Sequence, residues 1–192
     1  ANAVTSSDVC NGIAADDAGH GYNRGNSATH QQTASGTWIQ LVGGSNVNSA
    51  GVQEYLTWAK NRYRYTNIAG NQFSGQSYYY YLWSSSKAYD FIEGSGIDPN
   101  PGNTSVEDIG TLAPGAAPAC DAREVHLDSA AVPRVPLFGA QGPGYYDDPN
   151  ESPRVYFDYA YKLLGYQAAD GQYDANGAPG RWDQYASQAY AI

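Results

Sequence analysis

The sequence predicts an all-α fold, and three observations carry that prediction. Apolar and aromatic side chains recur at the i, i+3, i+4, i+7 spacing of a helix face in several separate stretches. Residues that cap helices precede these stretches, and glycines close them. The most aromatic run, Tyr78 to Trp83, does not alternate as a half-buried strand would. With 192 residues, the chain is long enough for a single helical domain, 1–192, with a core of its own.

Residues 1–27 are polar and rich in Gly, Asn and Asp, and read as an N-terminal arm in which Asp8 caps a short turn through Val9–Ala15. Residues 28–42 carry Ala28, Thr29, Thr33, Trp38, Ile39 and Leu41 and end at Gly43-Gly44, which predicts a helix that Gly36 weakens. Ser49 or Asn48 caps the next helix, whose buried stripe is Val52, Tyr55, Leu56, Ala59 and Tyr63. Residues 77–94 hold four consecutive tyrosines, which suit a strand by propensity. The stripe Tyr81, Ser85, Ala88, Tyr89 and Ile92, with Gly94 as a stop, predicts a helix instead.

Between 95 and 150 eight prolines interrupt any long helix and mark a Pro/Gly-rich loop insertion. A short helix fits Ser105–Leu112, and Val132 to Phe138 reads as extended. Ser152-Pro153 opens another helix, with Tyr156, Tyr159, Ala160, Leu163, Leu164 and Gln167 on one face. Asp170-Gly171 turns the chain into a last helix with Tyr185, Ala186, Ala189, Tyr190 and Ile192. That pattern is expected to continue beyond Ile192 or to be completed by a partner.

Tyrosine dominates the aromatic content, with 18 Tyr against 4 Phe and 4 Trp. A core built from such rings must also find partners for their hydroxyls. The net charge of -9 disfavours nucleic acid as a partner, because phosphate binding needs clustered cations. Lys60, Arg62 and Arg64 alone cluster, and they read as a solvated helix face. No apolar run is long enough to span a membrane.

Low charge with much Tyr, Ser, Asn and Gly predicts an extracellular or cell-surface protein. The start at Ala1-Asn2-Ala3, without Met, fits removal of a signal peptide. In that compartment a single disulfide between Cys10 and Cys120 is the simplest reading. It would stabilise the fold by about 4 kcal/mol on the chain-entropy view. Two buried thiols or metal ligands are the alternatives.

The stretch from Tyr159 to Tyr173 ends a helix in Gln167, continues through Asp170 and Gly171, and reaches an aromatic at Tyr173; Trp182 and the helix Tyr185–Ile192 follow. This resembles the repeat of the prenyltransferase and squalene-oxidase (terpene-cyclase-like) superfamily, although that family usually has Trp where this chain has Tyr173. The resemblance implies an α/α toroid, of which this chain would form a partial, toroid-like helical domain. It implies that the glutamine ties one helix end to the next, that the glycine permits the turn, and that the aromatic stacks over the glutamine. The helices around Val52–Tyr63 and Tyr79–Ile92 look like degenerate repeats lacking the glutamine.

The resemblance does not bring the family's chemistry with it. The Asp-x-Asp-Asp acid motif of the cyclases is missing, and Asp16-Asp17 and Asp147-Asp148 are only pairs. Cys120, Asp121 and His126 lie close in sequence, but not at the spacing of the prenyltransferase zinc ligands.

His20, Tyr22, Asn23, Arg24 and His30 form a second constellation, of the types that polysaccharide lyases use to neutralise a uronate and remove its α-proton. Asp98, Asn100, Asn103, Glu107 and Asp108 offer oxygen ligands suited to calcium, as do Asp147, Asp148, Asn150 and Glu151. Asn103 and Asn150 begin sequences that would be N-glycosylation acceptors in a eukaryotic source.

The leading expectation is a non-catalytic extracellular structural or surface-assembly protein that associates with itself, for example as a filament, or with other extracellular proteins. A secreted carbohydrate-active enzyme or glycan-binding module is the alternative, and a terpenoid or prenyl enzyme the third.

Overall fold

The computed structural model describes residues 4–5, 18–23, 28–68, 77–112, 123–127 and 155–173. Among them the chain is mostly helical, with α1 over His30–Val42, α2 over Ala50–Arg62, α3 over Tyr78–Gly94 and α4 over Val155–Tyr166. The two-residue strands β1, Val4–Thr5, and β2, Ala18–Gly19, pair antiparallel with Val4 opposite Gly19. No described helix is long and apolar enough to cross a membrane.

Helix α1 begins where Thr29, in an extended conformation, accepts a hydrogen bond from the Gln32 amide through its hydroxyl. Ser49 stands at the N-cap of α2, but its hydroxyl accepts instead from the Asn46 amide at 3.0 Å, fixing the approach to the helix. The helix expected over Ser105–Leu112 is a single 3-10 turn, Val106–Asp108. There the Ser105 hydroxyl accepts from the Asp108 amide, and the Asp108 carboxylate accepts from the Ser105 amide. In the Pro/Gly-rich stretch, 113–122 and 128–150 lie outside the described residues, and the described remainder has no longer element.

Helix α1 packs chiefly on α3 and next on α2. Of the residues noted in this stretch, Ala28, Thr29 and Thr33 are buried and Trp38 and Leu41 pack partly buried against the core. Thr33, Ala34, Ser35 and Thr37 are buried, while Ile39 is 64% exposed. Short side chains let two helices approach closely, and Tyr80 of α3 meets Ser35 across the contact at 2.8 Å. The hydroxyls do not oppose this burial, because Ser35 donates to Gln31 O and Thr37 to Thr33 O inside the helix. Trp38 sits beside the contact, edge-on to Trp83 at 5.4 Å.

The tyrosine run is helical because each hydroxyl finds a partner from a helix. Tyr78 donates to Tyr65 O, Tyr79 to Tyr173 O and Tyr81 to Arg64 O, and Tyr80 shares a hydrogen bond with Ser35. The receiving backbone, Tyr63 to Thr66, leaves α2 in non-helical form. The carbonyls of Tyr63, Arg64, Tyr65 and Thr66 accept, respectively, from Glu124 N, Tyr81, Tyr78 and Tyr166. The amides of Tyr65 and Thr66 donate to the Glu124 carboxylate. The described part of 123–127 is thereby stitched to the exit of α2.

The basic cluster is likewise not a solvated face. Arg62 is 2% exposed and lies over the Trp58 ring at 4.8 Å. Arg64 reaches Glu124 and Lys60 reaches Asp108, each at 3.9 Å. The expectation failed because long aliphatic stems bury readily while their charged heads find a partner.

Burial raises the pKa of Tyr63, Tyr78, Tyr81, Tyr89 and Tyr159 well above the ordinary phenol value, and that of Tyr65 to about 12. These groups stay protonated in the fold at pH values where the unfolded chain would ionise them. Their stabilisation is therefore complete below about pH 10 and declines as pH rises toward 12. A pH titration following tyrosinate absorbance and circular dichroism together should show these tyrosines ionising only as helix is lost. Ionisation near pH 10 with the helices intact would contradict the buried arrangement.

Candidate functional site

The most strongly built polar centre joins α4 to the segment 123–127. Asp158 has no exposed surface, and its carboxylate accepts three hydrogen bonds: from Tyr63 Oη at 2.5 Å, His126 Nδ1 at 2.7 Å and Leu127 N at 2.9 Å. A carboxylate offers only lone pairs, so the His126 proton sits on Nδ1 and Nε2 is an acceptor in the neutral ring. Tyr63 meets the imidazole edge-on at 5.5 Å. Gly110 packs against the same ring, where an added Cβ would come within 2.6 Å of it. Gly110 is thus required twice, for that contact and for its φ of +83°.

His126 lines an open cleft of about 510 Å³ between α3 and the 3-10 helix. Ser86, Tyr89, Asp90 and Glu93 come from α3, Glu107 and Thr111 from the opposite wall, and Val155 and Tyr156 from the start of α4. Tyr89 is buried and Tyr156 stands exposed.

The sequence had singled out other residues. His30 is buried in the core, with Nε2 against Arg62 O at 2.8 Å and its ring edge-on to Trp58 and Tyr81. His20 holds Thr33 Oγ1 through its amide and Gly21 O through Nδ1, and Tyr22 is exposed. The two histidines thus have separate structural partners, and Arg24 lies outside the described residues.

Of the proposed calcium ligands, Asp98, Asn100 and Asn103 are organised around the Asn48 amide group. Asn48 donates to Asp98 O at 3.0 Å and accepts from Asn100 N at 2.7 Å and Asn103 Nδ2 at 2.9 Å. These bonds use the backbone of Asp98 and Asn100, and no group of three or more His, Cys, Asp or Glu side chains that could hold a metal ion occurs among the described residues. Asp147, Asp148, Cys10, Cys120 and Trp182 lie outside the described residues.

At the end of α4, Gln167 Nε2 donates to Gly171 O at 3.2 Å, and Gly171 adopts φ +86°. Asp170 accepts from the Gln172 amide. The ring that Tyr173 meets is Tyr79, edge-on at 6.4 Å.

Asp158 was missed because the face chosen for α4 avoided it. Val155, Asp158 and Tyr159 are buried, while Tyr156 and Leu164 are exposed. The buried stripe carries an acid, and an apolarity-based reading selects the neighbouring stripe. The available signal was an aspartate enclosed by Phe157 and Tyr159 in a helix, a position that burial tolerates only with partners.

Comparison with protein-family models, with curated proteins and with solved structures gives no match to this chain.

Replacing Asp158 by Ala strands the Tyr63 hydroxyl, the His126 ring and the Leu127 amide together. Chemical denaturation should report a loss of about 3 kcal/mol. Asn48→Ala, at a half-exposed site, should cost about 1 kcal/mol. Equal, small losses in both variants would show that Asp158 is not a structural centre.

Proposed function

We propose that this chain is a non-catalytic helical scaffold of an extracellular or cell-surface protein that works by assembling with further copies or with other extracellular proteins. The observation that carries this reading is the pair of apolar surfaces left facing solvent. On α1, Ile39 and Val42 are 64% and 62% exposed, and on α4, Tyr161 and Leu164 are 36% and 58% exposed. Each pair stands at i, i+3, so its members share one helix face. Desolvating such faces drives association, and tyrosine is favoured at the centre of interfaces.

The scaffold is proposed to be toroid-like, in the manner of the prenyltransferase and squalene-oxidase repeat. The turn after α4 supports this, because the Gln167 side chain ties the helix end to Gly171, the glycine of the tight turn. The extracellular setting carries an expectation for Cys10 and Cys120, which should be bridged in the secreted protein.

Light scattering after size exclusion tests the assembly. The chain should form a defined oligomer, and Ile39→Asp combined with Leu164→Asp should shift it to monomer. Melting should stay nearly unchanged, since both side chains are solvent-facing. A monomer at every concentration would overturn the reading. Two titratable thiols in unreduced protein would remove its extracellular component.

A further inference from the structure

The aromatic core holds an arrangement that packing alone does not use. Tyr81, Tyr159 and Tyr63 follow one another with ring centroids 5.9 and 6.4 Å apart, and Tyr63 continues to Tyr65 at 5.9 Å. At the other end His30 lies between Tyr81 and Trp58, at 5.4 and 5.1 Å. Electron tunnelling falls off steeply with distance, and rings this close pass an electron readily from one to the next. Tyr63, Tyr81 and Tyr159 are all buried.

Tyr63 is set apart by the group that its hydroxyl meets. Oxidising a phenol at neutral pH requires its proton to leave with the electron, because the phenol radical cation is a strong acid. Tyr78 and Tyr81 donate to backbone carbonyls, and Tyr159 donates to another hydroxyl. None of these acceptors takes up a proton at neutral pH. Tyr63 donates to Asp158 Oδ2 at 2.5 Å, and a carboxylate can take the proton.

We propose that Tyr63 and Asp158 form a proton-coupled redox centre, where the tyrosine ladder stores an oxidising equivalent as a neutral phenoxyl radical. A one-electron oxidant, of the peroxidase or metal-complex class, removes an electron from the ladder. The Tyr63 O–H bond breaks and its proton bonds to Asp158 Oδ2. The products are the Tyr63 radical, a neutral Asp158 and the reduced oxidant. His126 Nδ1 and Leu127 N keep the carboxyl group in place throughout. The step also neutralises a charge at a site with no exposed surface, where charge is costly.

The new Asp158 O–H donates back to the radical oxygen. Burial keeps that oxygen and its ring from coupling with a phenol of another molecule. The radical therefore persists until a one-electron reductant, of the ascorbate class, returns the electron and Asp158 returns the proton. This centre does not depend on the assembly reading, so either can fail alone.

Photo-oxidation of the whole protein with ruthenium tris-bipyridine and persulfate, freeze-quenched and read by high-field electron paramagnetic resonance, tests the proposal. A tyrosyl signal should form, with a g-tensor that reports a hydrogen bond to the phenoxyl oxygen. Tyr63→Phe keeps the ring and should lose most of that signal. Tyr156→Phe, at a side chain that is 64% exposed, should retain it. No tyrosyl signal, a signal that Tyr63→Phe leaves unchanged, or one that Tyr156→Phe removes would overturn the proposal. A radical without a hydrogen bond at its oxygen in the unsubstituted protein would overturn it equally, however either variant folds.

Discussion

A stretch of backbone leaves α2 without a helix or a sheet to satisfy it, and much of the described structure is arranged around that need. Buried amides and carbonyls must be hydrogen-bonded, since an orphaned one costs about 1–3 kcal/mol. From Tyr63 to Thr66 the missing partners are mostly side chains; of these carbonyls that of Tyr63 alone accepts from a backbone amide, that of Glu124. Tyr78, Tyr81 and Tyr166 bring hydroxyls to three carbonyls, and Glu124 brings a carboxylate to two amides. This explains why tyrosine rather than phenylalanine fills the core. The ring supplies burial, and the hydroxyl replaces a strand neighbour.

Asp158 extends the same solution one layer further. Its buried carboxylate receives the Tyr63 hydroxyl on one side and the 123–127 segment on the other. Tyr159, its neighbour in α4, donates to the Tyr81 hydroxyl and accepts from Ser85. Helices α2, α3 and α4 are thus joined by a polar network inside an aromatic core, and such networks favour one arrangement when every member is satisfied. The cleft inherits its rigidity from this network, because the histidine on its wall is held by the carboxylate at the network's centre.

The helices themselves were legible in the sequence. The i, i+3, i+4 periodicity located all four, and the tyrosine run was rightly read as helix although aromatic propensity favours a strand. Their faces were less legible. On α1 the buried side chains are mostly polar or small, His30, Gln31, Thr33, Ala34, Ser35 and Thr37, and apolarity alone does not mark that face. On α4 the buried stripe contains Asp158, which only a partner more than thirty positions away makes tolerable.

The same limit governed the candidate site. His30 has a residue type suited to catalysis, yet its Nε2 meets Arg62 O, and in the loop from Asp98 to Asn103 Asn48 holds the backbone of Asp98 and Asn100 and the Asn103 amide. His126, noted only in connection with zinc, became informative once Asp158 and Gly110 were seen to frame it. Pairings so distant in sequence leave no periodic trace.

Native-state hydrogen exchange of the Tyr65 and Thr66 amides tests the central claim most directly. Both belong to a loop between helices, yet both donate to Glu124 beneath the tyrosine cover. The account predicts that they exchange as slowly as amides in the middle of α2 and α3, through global rather than local opening. Exchange at the rate of exposed loop amides would contradict it.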